Sequence, residues 1–470
     1  MARERLVVVG NGMAALRLVE ELVARAAPYD ITVVGEEHGP AYNRILLSAA
    51  LEGSHPLAEL PLQSRTWYDD RGIALHTGMR VAEIDRTGQQ VVLDDQRRVP
   101  YDRLVLATGS IPTLPPIRGL VGMDGRLHPK VHAFRSLADC ERLLAAVPDT
   151  TRAVVIGGGL LGLQVARGLT GCGVQVEVVE GSSHLLSSQV GEQAGGVLER
   201  GLRALGTEVY THSRAVRLTD QGLRLDNGYT LDTDLVVLAA GGRPSTSLAK
   251  RAGLFVRRGV VIGPRLDSVT DERIHAIGDC AERKGRTTGF VAPAWEQATV
   301  LAAVLTGGQA CYDGSRTVAR LRATDLDVAV LGDPERTDGE VVEVDNPITG
   351  SYRKIVVREG VIEAAAMVGD LSRIGLLTQL YDRRTVLGPD EPGLLLMADR
   401  ATGESSNLLP DDAEVCACAA VSAGRIRGCA DHDSVVRTTR ATTGCGGCTA
   451  VVRELLDSRR SVEAIAPVST

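Results

Sequence analysis

The sequence predicts an α/β protein built on two βαβ nucleotide-binding units, followed by a small α+β domain and a small helical, cysteine-rich domain. Three observations predict it. A Val-rich run turns through clustered glycines at Gly10-Asn11-Gly12, and the pattern returns 147 residues later at Gly157-Gly158-Gly159. Glycine makes up 52 of 470 residues, about 11% against a usual value near 7%. Five of the nine cysteines (Cys416, Cys418, Cys429, Cys445, Cys448) fall in the last 55 residues.

The elements follow in order. Arg5 to Val9 reads as a buried strand, Gly10 to Ala15 as a turn, the amphipathic run to Ala27 as a helix, and Asp30 to Val34 as a second strand. The second unit repeats this with Ala153 to Ile156, the turn Gly157 to Gly162, and the strand Val174 to Val179. Each unit closes on an apolar strand ending in small residues, Leu104-Val105-Leu106-Ala107-Thr108-Gly109 in the first and Leu235 to Gly241 in the second. Ile274 to Asp279 is a further short strand stopped by Gly278-Asp279, and a helix is expected from about Trp295 to Leu305. Hairpin strands fill Thr317 to about Leu387, with a turn at Glu359-Gly360 and a helix over Leu371 to Tyr381. Residues 388–412 lack periodicity and read as a linker. The expected domains are 1–117 with 245–316, an inserted 118–244, 317–387, and a tail at 413–460.

Composition excludes several classes. Fifty-two Lys and Arg against 59 Asp and Glu give a net charge of −7, which argues against a nucleic-acid partner. No apolar run approaches the roughly 20 residues a bilayer needs, so no membrane association is expected. The apolar stretch Leu6 to Val9 stops at Gly10, short of a signal peptide's core, so a cytoplasmic protein is expected.

Each glycine turn has a chemical reason. In G-x-G-x-x-G/A the first Gly makes the tight turn and the second lets the backbone approach a pyrophosphate. The third small residue lets the helix pack on the strand. The phosphate then faces the free N–H groups of a helix N-terminus. Gly10, Gly12 and Ala15 fit this Rossmann-like pattern, with Glu36 placed as an acceptor for a ribose hydroxyl. Gly157, Gly159, Gly162 and Glu180 supply the same parts in the second unit. Two such units can bind two nicotinamide dinucleotides, or one flavin and one nicotinamide.

The motif order, with Ala107-Thr108-Gly109, Gly241 and Gly278-Asp279 following in turn, resembles the two-dinucleotide-domain flavoprotein reductases. That resemblance implies FAD in the discontinuous first domain and NADH in the inserted second one. It places Gly10, Gly12, Met13, Ala14, Ala15, Glu36, Arg44, Val81, Ala107, Thr108, Gly109, Gly278, Asp279 and Gln297 at FAD. It places Gly157, Gly159, Leu160, Leu161, Gly162, Glu180 and Gly241 at NADH. The relatives that act on disulfides carry a cysteine pair after the first acid, whereas the first cysteine here is Cys140. Tyr42 to Ala49, Val131 to Asp139 and Val291 to Ala298 resemble the NADH-dependent nitrite reductase large-subunit family, which usually has Glu where this chain has Gln164.

The tail pairs Cys416-Ala417-Cys418 with Cys445-Gly446-Gly447-Cys448. Four thiolates at these spacings suit an iron-sulfur cluster or zinc. The arrangement resembles the bacterioferritin-associated-ferredoxin-like 2Fe-2S module of that same family. Cys429, between the pairs, reads as a packed core thiol. Twenty-two residues follow Cys448, too few for a sirohaem and 4Fe-4S portion, so substrate reduction is expected on a partner. The resemblance therefore implies a flavoprotein that takes electrons from NADH and passes them through a 2Fe-2S centre to a separate nitrate or nitrite reductase catalytic subunit. A reductase for a ferredoxin, a rubredoxin or a monooxygenase is the alternative enzyme. A redox sensor with a zinc or cluster interaction module is the alternative of another class.

Overall fold

The structure is a computed structural model that describes residues 3–323, 326–397, 409–416, 419, 421–442 and 448–463. The chain divides into two compact units. The first is Met1–Arg44, His55–Thr113 and Gly241–Thr317, and the second is Ile45–Ser54, Leu114–Ala240 and Val318–Thr470.

The first unit centres on a six-stranded sheet. Its order is Asp267–Ser268, Asp271–Ala276, Arg103–Leu106, Glu4–Val9, Tyr29–Val34, Ala74–His76. All pairings are parallel except the one between Asp267–Ser268 and Asp271–Ala276. Glu4–Val9 is central, and Leu6 to Val9 are all buried, which is why that strand reads as an unbroken apolar run. Strand order reverses beside it, and ligands of open α/β sheets bind at the carboxyl end of such a switch point. The helices Met13–Ala24 and Val291–Leu305 pack against each other. Leu16, Val19, Ala298 and Leu301 bury their apolar sides in the core with Leu104, Val105 and Ile274.

The second unit begins with a five-stranded parallel sheet, ordered Thr207–Tyr210, Gln175–Val179, Arg152–Ile156, Leu235–Leu238, Val131–Ala133. Leu160–Gly171 crosses from its central strand, and Ser136 with Asp139 forms a capping box that starts Leu137–Ala146. A second, antiparallel five-stranded sheet runs Val318–Ala323, Leu326–Leu331, Val361–Val368, Ser351–Arg358, Glu340–Asn346. The Glu359-Gly360 turn joins two of these strands with φ of 52° and 76°, as a two-residue hairpin requires. The closing helix is Ile374–Arg383, and its Leu377 and Tyr381 enter the core with Leu331, Ile355 and Met367.

Two expectations about boundaries need correction. Ile45–Ser54 groups with the second unit, where Leu47–Leu51 packs on Leu160–Gly171. The segment expected to be a linker from 388 opens with a helix, Glu391–Leu396, whose Leu395 and Leu396 are buried. The buried Arg353 guanidinium donates to the Leu396 carbonyl (2.6 Å), a tertiary bond that no local periodicity announces. The remainder, 398–408, lies outside the described residues. The tail folds around Val421, Ile426, Val435, Val452 and Leu455, with helices Ala423–Arg427, His432–Thr439 and Thr449–Glu463. Among the described residues no helix is long and apolar enough to cross a membrane.

Candidate functional site

The two glycine turns have the same construction. Gly10 and Gly157 have φ of 109° and 114°, and a Cβ on either would meet a backbone carbonyl of its closing strand: Ala107 O at 2.2 Å, Ala239 O at 2.5 Å. Glycine is therefore required there by the fold. Gly12 and Gly159 are different. Both have negative φ, both cap a helix without any side-chain hydrogen bond, and a Cβ on either would meet nothing within 4 Å. Among the described residues nothing forbids a side chain at these positions, so the open space fits an external group. Leu16 and Leu163 are the first residues to bond back into their helices, to Gly12 O and Gly159 O (3.0 Å each). The N–H groups of Met13, Ala14 and Ala15, and of Leu160, Leu161 and Gly162, are thus the donors without helical partners at the two cradles.

The first cradle is closed by two further segments. Gly278 (φ 72°) stops its strand, and a Cβ there would come within 3.2 Å of Ala14 Cβ, so the Gly278-Asp279 turn sits against the start of the first helix. Gln297, 2% exposed, accepts the Gly278 N–H on Oε1 (2.7 Å) and so fixes that turn. Ser110 Oγ donates to Asp279 Oδ2 (2.7 Å), which orients the carboxylate. Thr108 Oγ1 donates to Ser245 O (2.8 Å), and the Ser245 N–H returns to Gly109 O. Asn11, inside the glycine turn, has its Oδ1 buried with no hydrogen-bond partner among the described residues, an orphaned acceptor within the turn. These residues fit a phosphate-bearing dinucleotide.

Glu36 lies two residues beyond Tyr29–Val34, exposed, while its neighbour Glu37 bonds Tyr42 Oη and the Arg44 guanidinium. Arg44 also lies over the Tyr42 ring at 5.1 Å. The strand opening at Val81 is led in by Gly78 and Met79, whose N–H groups bond Glu37 O and Gly35 O, so it passes beside the Glu36 turn. Cys280 donates to the Leu106 and Ile277 carbonyls, and burial pushes its thiol pKa up, so it is a packing residue.

In the second unit Glu180 directly follows Gln175–Val179. Its carboxylate accepts from Gly158 N–H (2.6 Å) and Ser182 N–H (2.7 Å), which holds it at the cradle rim with acceptor capacity remaining. Gly162 packs directly on Gly157, where a Cβ would be 1.9 Å from the carbonyl. Gly241, expected here, groups with the first unit, where its carbonyl accepts the Thr113 N–H.

Of the four candidate metal ligands, Cys418 and Cys445 lie outside the described residues. Cys416 and Cys448 are both buried and lie within hydrogen-bonding distance of each other. Cys448 and burial together raise the Cys416 thiol pKa, while the Thr442 N–H donates to Cys448 Sγ (3.2 Å). Two thiols with backbone N–H groups aimed at sulfur fit a thiolate-held centre. Cys429, buried, bonds Arg425 O and Thr438 Oγ1.

Sequence reasoning missed Ser110, Asn11 and Arg214. Ser110 is 169 residues from Asp279, and no spacing rule links them. Asn11 could have been found, since it sits inside the motif. Arg214 is carried onto Gly181 by a loop from the neighbouring strand, which a scan of the segment after Glu180 does not reach.

A family profile described as Pyridine nucleotide-disulphide oxidoreductase matches residues 4–299, and one described as Rubredoxin NAD+ reductase C-terminal domain matches residues 318–385. The chain is similar to the nitrite reductase (NAD(P)H) of Bacillus subtilis (strain 168), 35% identical over 97% of this chain and 58% of that one. It is similar to the assimilatory nitrate reductase electron transfer subunit of the same strain, 33% identical over 100% of this chain and 62% of that one. It thus spans about three-fifths of the length of these curated relatives. Among solved structures, the covalent putidaredoxin reductase-putidaredoxin complex aligns with a TM-score of 0.77 at 26% identity, covering 84% of this chain and 96% of that chain.

Proposed function

The chain belongs to the pyridine nucleotide-disulphide oxidoreductase family, and on that premise we propose that it is an FAD-dependent NADH oxidoreductase. In this reading it passes electrons through a C-terminal 2Fe-2S module to a separate catalytic subunit that reduces nitrate or nitrite. The observation that carries the reading is the duplicated cradle, in which Gly12 and Gly159 each face space that no described residue fills. FAD, when bound, supplies the conversion of a hydride's two electrons into single-electron transfers. The chain's own residues bind and orient. Met13 to Ala15 and Gly12 offer backbone donors to the flavin's pyrophosphate, and Asp279, held by Ser110, offers a carboxylate to its hydroxyls or phosphate-side chain. Glu36 is the acceptor for the adenosine ribose, with Val81 beside the adenine. Gly159 to Gly162 and Glu180 do the same for NADH.

Cys416 and Cys448, with Cys418 and Cys445 completing the set, would hold the 2Fe-2S cluster, which supplies one-electron transfer. The partner reading is supported by the relative named as an electron transfer subunit of an assimilatory nitrate reductase. None of the seven described cysteines forms a disulfide, which suits a reducing cytoplasm. The match of residues 318–385 to a rubredoxin reductase domain favours a second reading, in which the acceptor is a small redox protein.

The test is to purify the chain anaerobically, assay flavin, iron and sulfide, and follow NADH oxidation with ferricyanide. Nitrate and nitrite reduction are then measured with and without the catalytic subunit. Rapid dye reduction with nitrate or nitrite reduced only when the partner is present supports the proposal. Rapid reduction of rubredoxin with no coupling to the partner moves the assignment to the second reading. Stoichiometric zinc without iron and slow NADH turnover overturn both.

A further inference from the structure

Arg214 reaches the second cradle from outside the segment that follows Glu180. Between Gly181 and Ser188 the sequence has no Lys or Arg, which by itself leaves a 2′-phosphate without a cation. The fold supplies one. The loop after Thr207–Tyr210 is clamped to the Glu180 turn by two backbone bonds, Ser213 N–H to Glu180 O (3.1 Å) and His212 N–H to Ser182 O (2.9 Å). Arg214 is fixed in the main chain as well. Its N–H donates to the Asp226 carboxylate (3.1 Å), and the Asp226 N–H donates to its carbonyl (2.8 Å).

With the backbone held on both sides, the side chain lies across Gly181. A Cβ on Gly181 would stand 3.3 Å from Arg214 Cγ and 3.4 Å from Nε, tighter than ordinary contact. The φ of Gly181 is not positive, so no backbone strain accounts for glycine there. The missing side chain makes room for the arginine. Arg214 is exposed and forms no ion pair among the described residues, and the Glu180 carboxylate accepts from the Gly158 and Ser182 N–H groups. A guanidinium with no ion-pair partner among the described residues thus stands against the residue that follows the acid placed to accept from the ribose 2′-hydroxyl.

We propose that Arg214 is a specificity-determining residue of the second dinucleotide site, receiving the 2′-phosphate of NADPH against the repulsion of Glu180. The chain's preference for NADH is then partial. The proposal rests on the reading of the second unit as the nicotinamide dinucleotide site. A guanidinium pairs a phosphate bidentately, whereas a neutral 2′-hydroxyl gains much less from it. Arg214 therefore acts mainly on the ratio of the two affinities.

Calorimetric titration of the FAD-loaded full chain with NAD+ and NADP+, which differ only at that phosphate, reads the ratio without turnover. Arg214→Ala should raise the Kd of NADP+ relative to that of NAD+ by roughly tenfold, the scale of one exposed charge-assisted hydrogen bond. Arg214→Lys, which keeps a point charge, should recover part of it, and Glu180→Gln should move the ratio the other way. An unchanged ratio in Arg214→Ala overturns the proposal, as does an equal loss for both ligands, which would mean the side chain only shapes the loop. If the unmodified chain binds neither ligand while retaining FAD, the reading of the second unit fails and takes the proposal with it.

Discussion

Gly10 and Gly12 are two residues apart in one turn, yet substitution should damage different things. At Gly10 even Ala is excluded. The φ of 109° costs an L-residue about 1–2 kcal/mol, and a Cβ 2.2 Å from Ala107 O must push the closing strand away, which adds overpacking of about 1–3 kcal/mol. Gly10→Ala should therefore destabilise the first unit by about 2–5 kcal/mol, with or without ligand. At Gly12 the larger Val should leave the empty fold nearly as stable, because φ is −99° and no atom lies within 4 Å. Val would occupy the space of the pyrophosphate. Losing two charge-assisted backbone hydrogen bonds, about 3–6 kcal/mol together, weakens FAD binding by roughly 10² to 10⁴-fold. The assay has a built-in reporter, since both tryptophans, Trp67 and Trp295, lie in the first unit. Urea unfolding of flavin-stripped protein followed by Trp fluorescence gives the stability, and flavin absorbance after reconstitution gives the binding. Full FAD occupancy in Gly12→Val, or a loss of stability in that variant equal to the loss in Gly10→Ala, would falsify the cradle assignment.

Other outcomes can be measured directly. NADH should exceed NADPH in kcat/KM, and by less than the roughly 150-fold that an unopposed Glu180 could impose; equal efficiency with both would contradict the role of Glu180. Iron and acid-labile sulfide should each be about two per chain, as a 2Fe-2S centre requires. Replacing Cys445 and Cys448 by Ser should leave NADH-driven ferricyanide reduction nearly intact and abolish partner-dependent nitrate reduction; a normal coupled rate in that variant means electrons leave by another path. His275 is 4% exposed, and burial lowers its pKa from 6.5 to about 4, with Arg103 and Arg265 acting in the same direction and Asp267 opposing. Because the folded value is the depressed one, stability is intact above pH 6.5 and falls as the pH drops towards 4, by about 3 kcal/mol when titration is complete. His275→Leu should flatten that dependence in urea titrations between pH 7 and 5, and an unchanged slope would show that other groups carry it.

What the sequence made legible was whatever a local pattern had to satisfy. Gly10 and Gly157 could be read because a tight turn after a buried strand admits almost no other residue. The strands Glu4–Val9 and Arg152–Ile156 could be read because burial on both faces demands continuous apolar residues. What escaped was set by contacts between distant segments. The helix Glu391–Leu396 carries Pro392 and Gly393, which suppress helix propensity, and it is fixed by Arg353 from a strand 43 residues away. Ser110 becomes a site residue only when the sheet sets Arg103–Leu106 beside Asp271–Ala276. Gln297, expected at the cofactor, also accepts the Gly278 N–H on Oε1, a contact across 19 residues that no local pattern announces.

The two cradles also differ in a way that bears on what each should hold. The first draws on three separated stretches, the turn from Gly10 to Ala15, Ala107 to Ser110, and Gly278-Asp279, and each is locked to the others. Ala107 N–H bonds Val9 O, Ser110 bonds Asp279, and Gly278 abuts Ala14. Segments already locked to one another cost little ordering entropy when a ligand arrives between them, which favours tight binding and slow release. That suits a resident group such as FAD. The second offers a glycine turn, one acid held by two backbone N–H groups, and an exposed arginine on a loop. Fewer fixed contacts and a solvent-facing rim give weaker, faster binding, which a nucleotide that must leave after every turnover requires. The same β-turn-α device can therefore serve a permanent cofactor in one unit and an exchanging substrate in the other, with the difference carried by the segments that close over it.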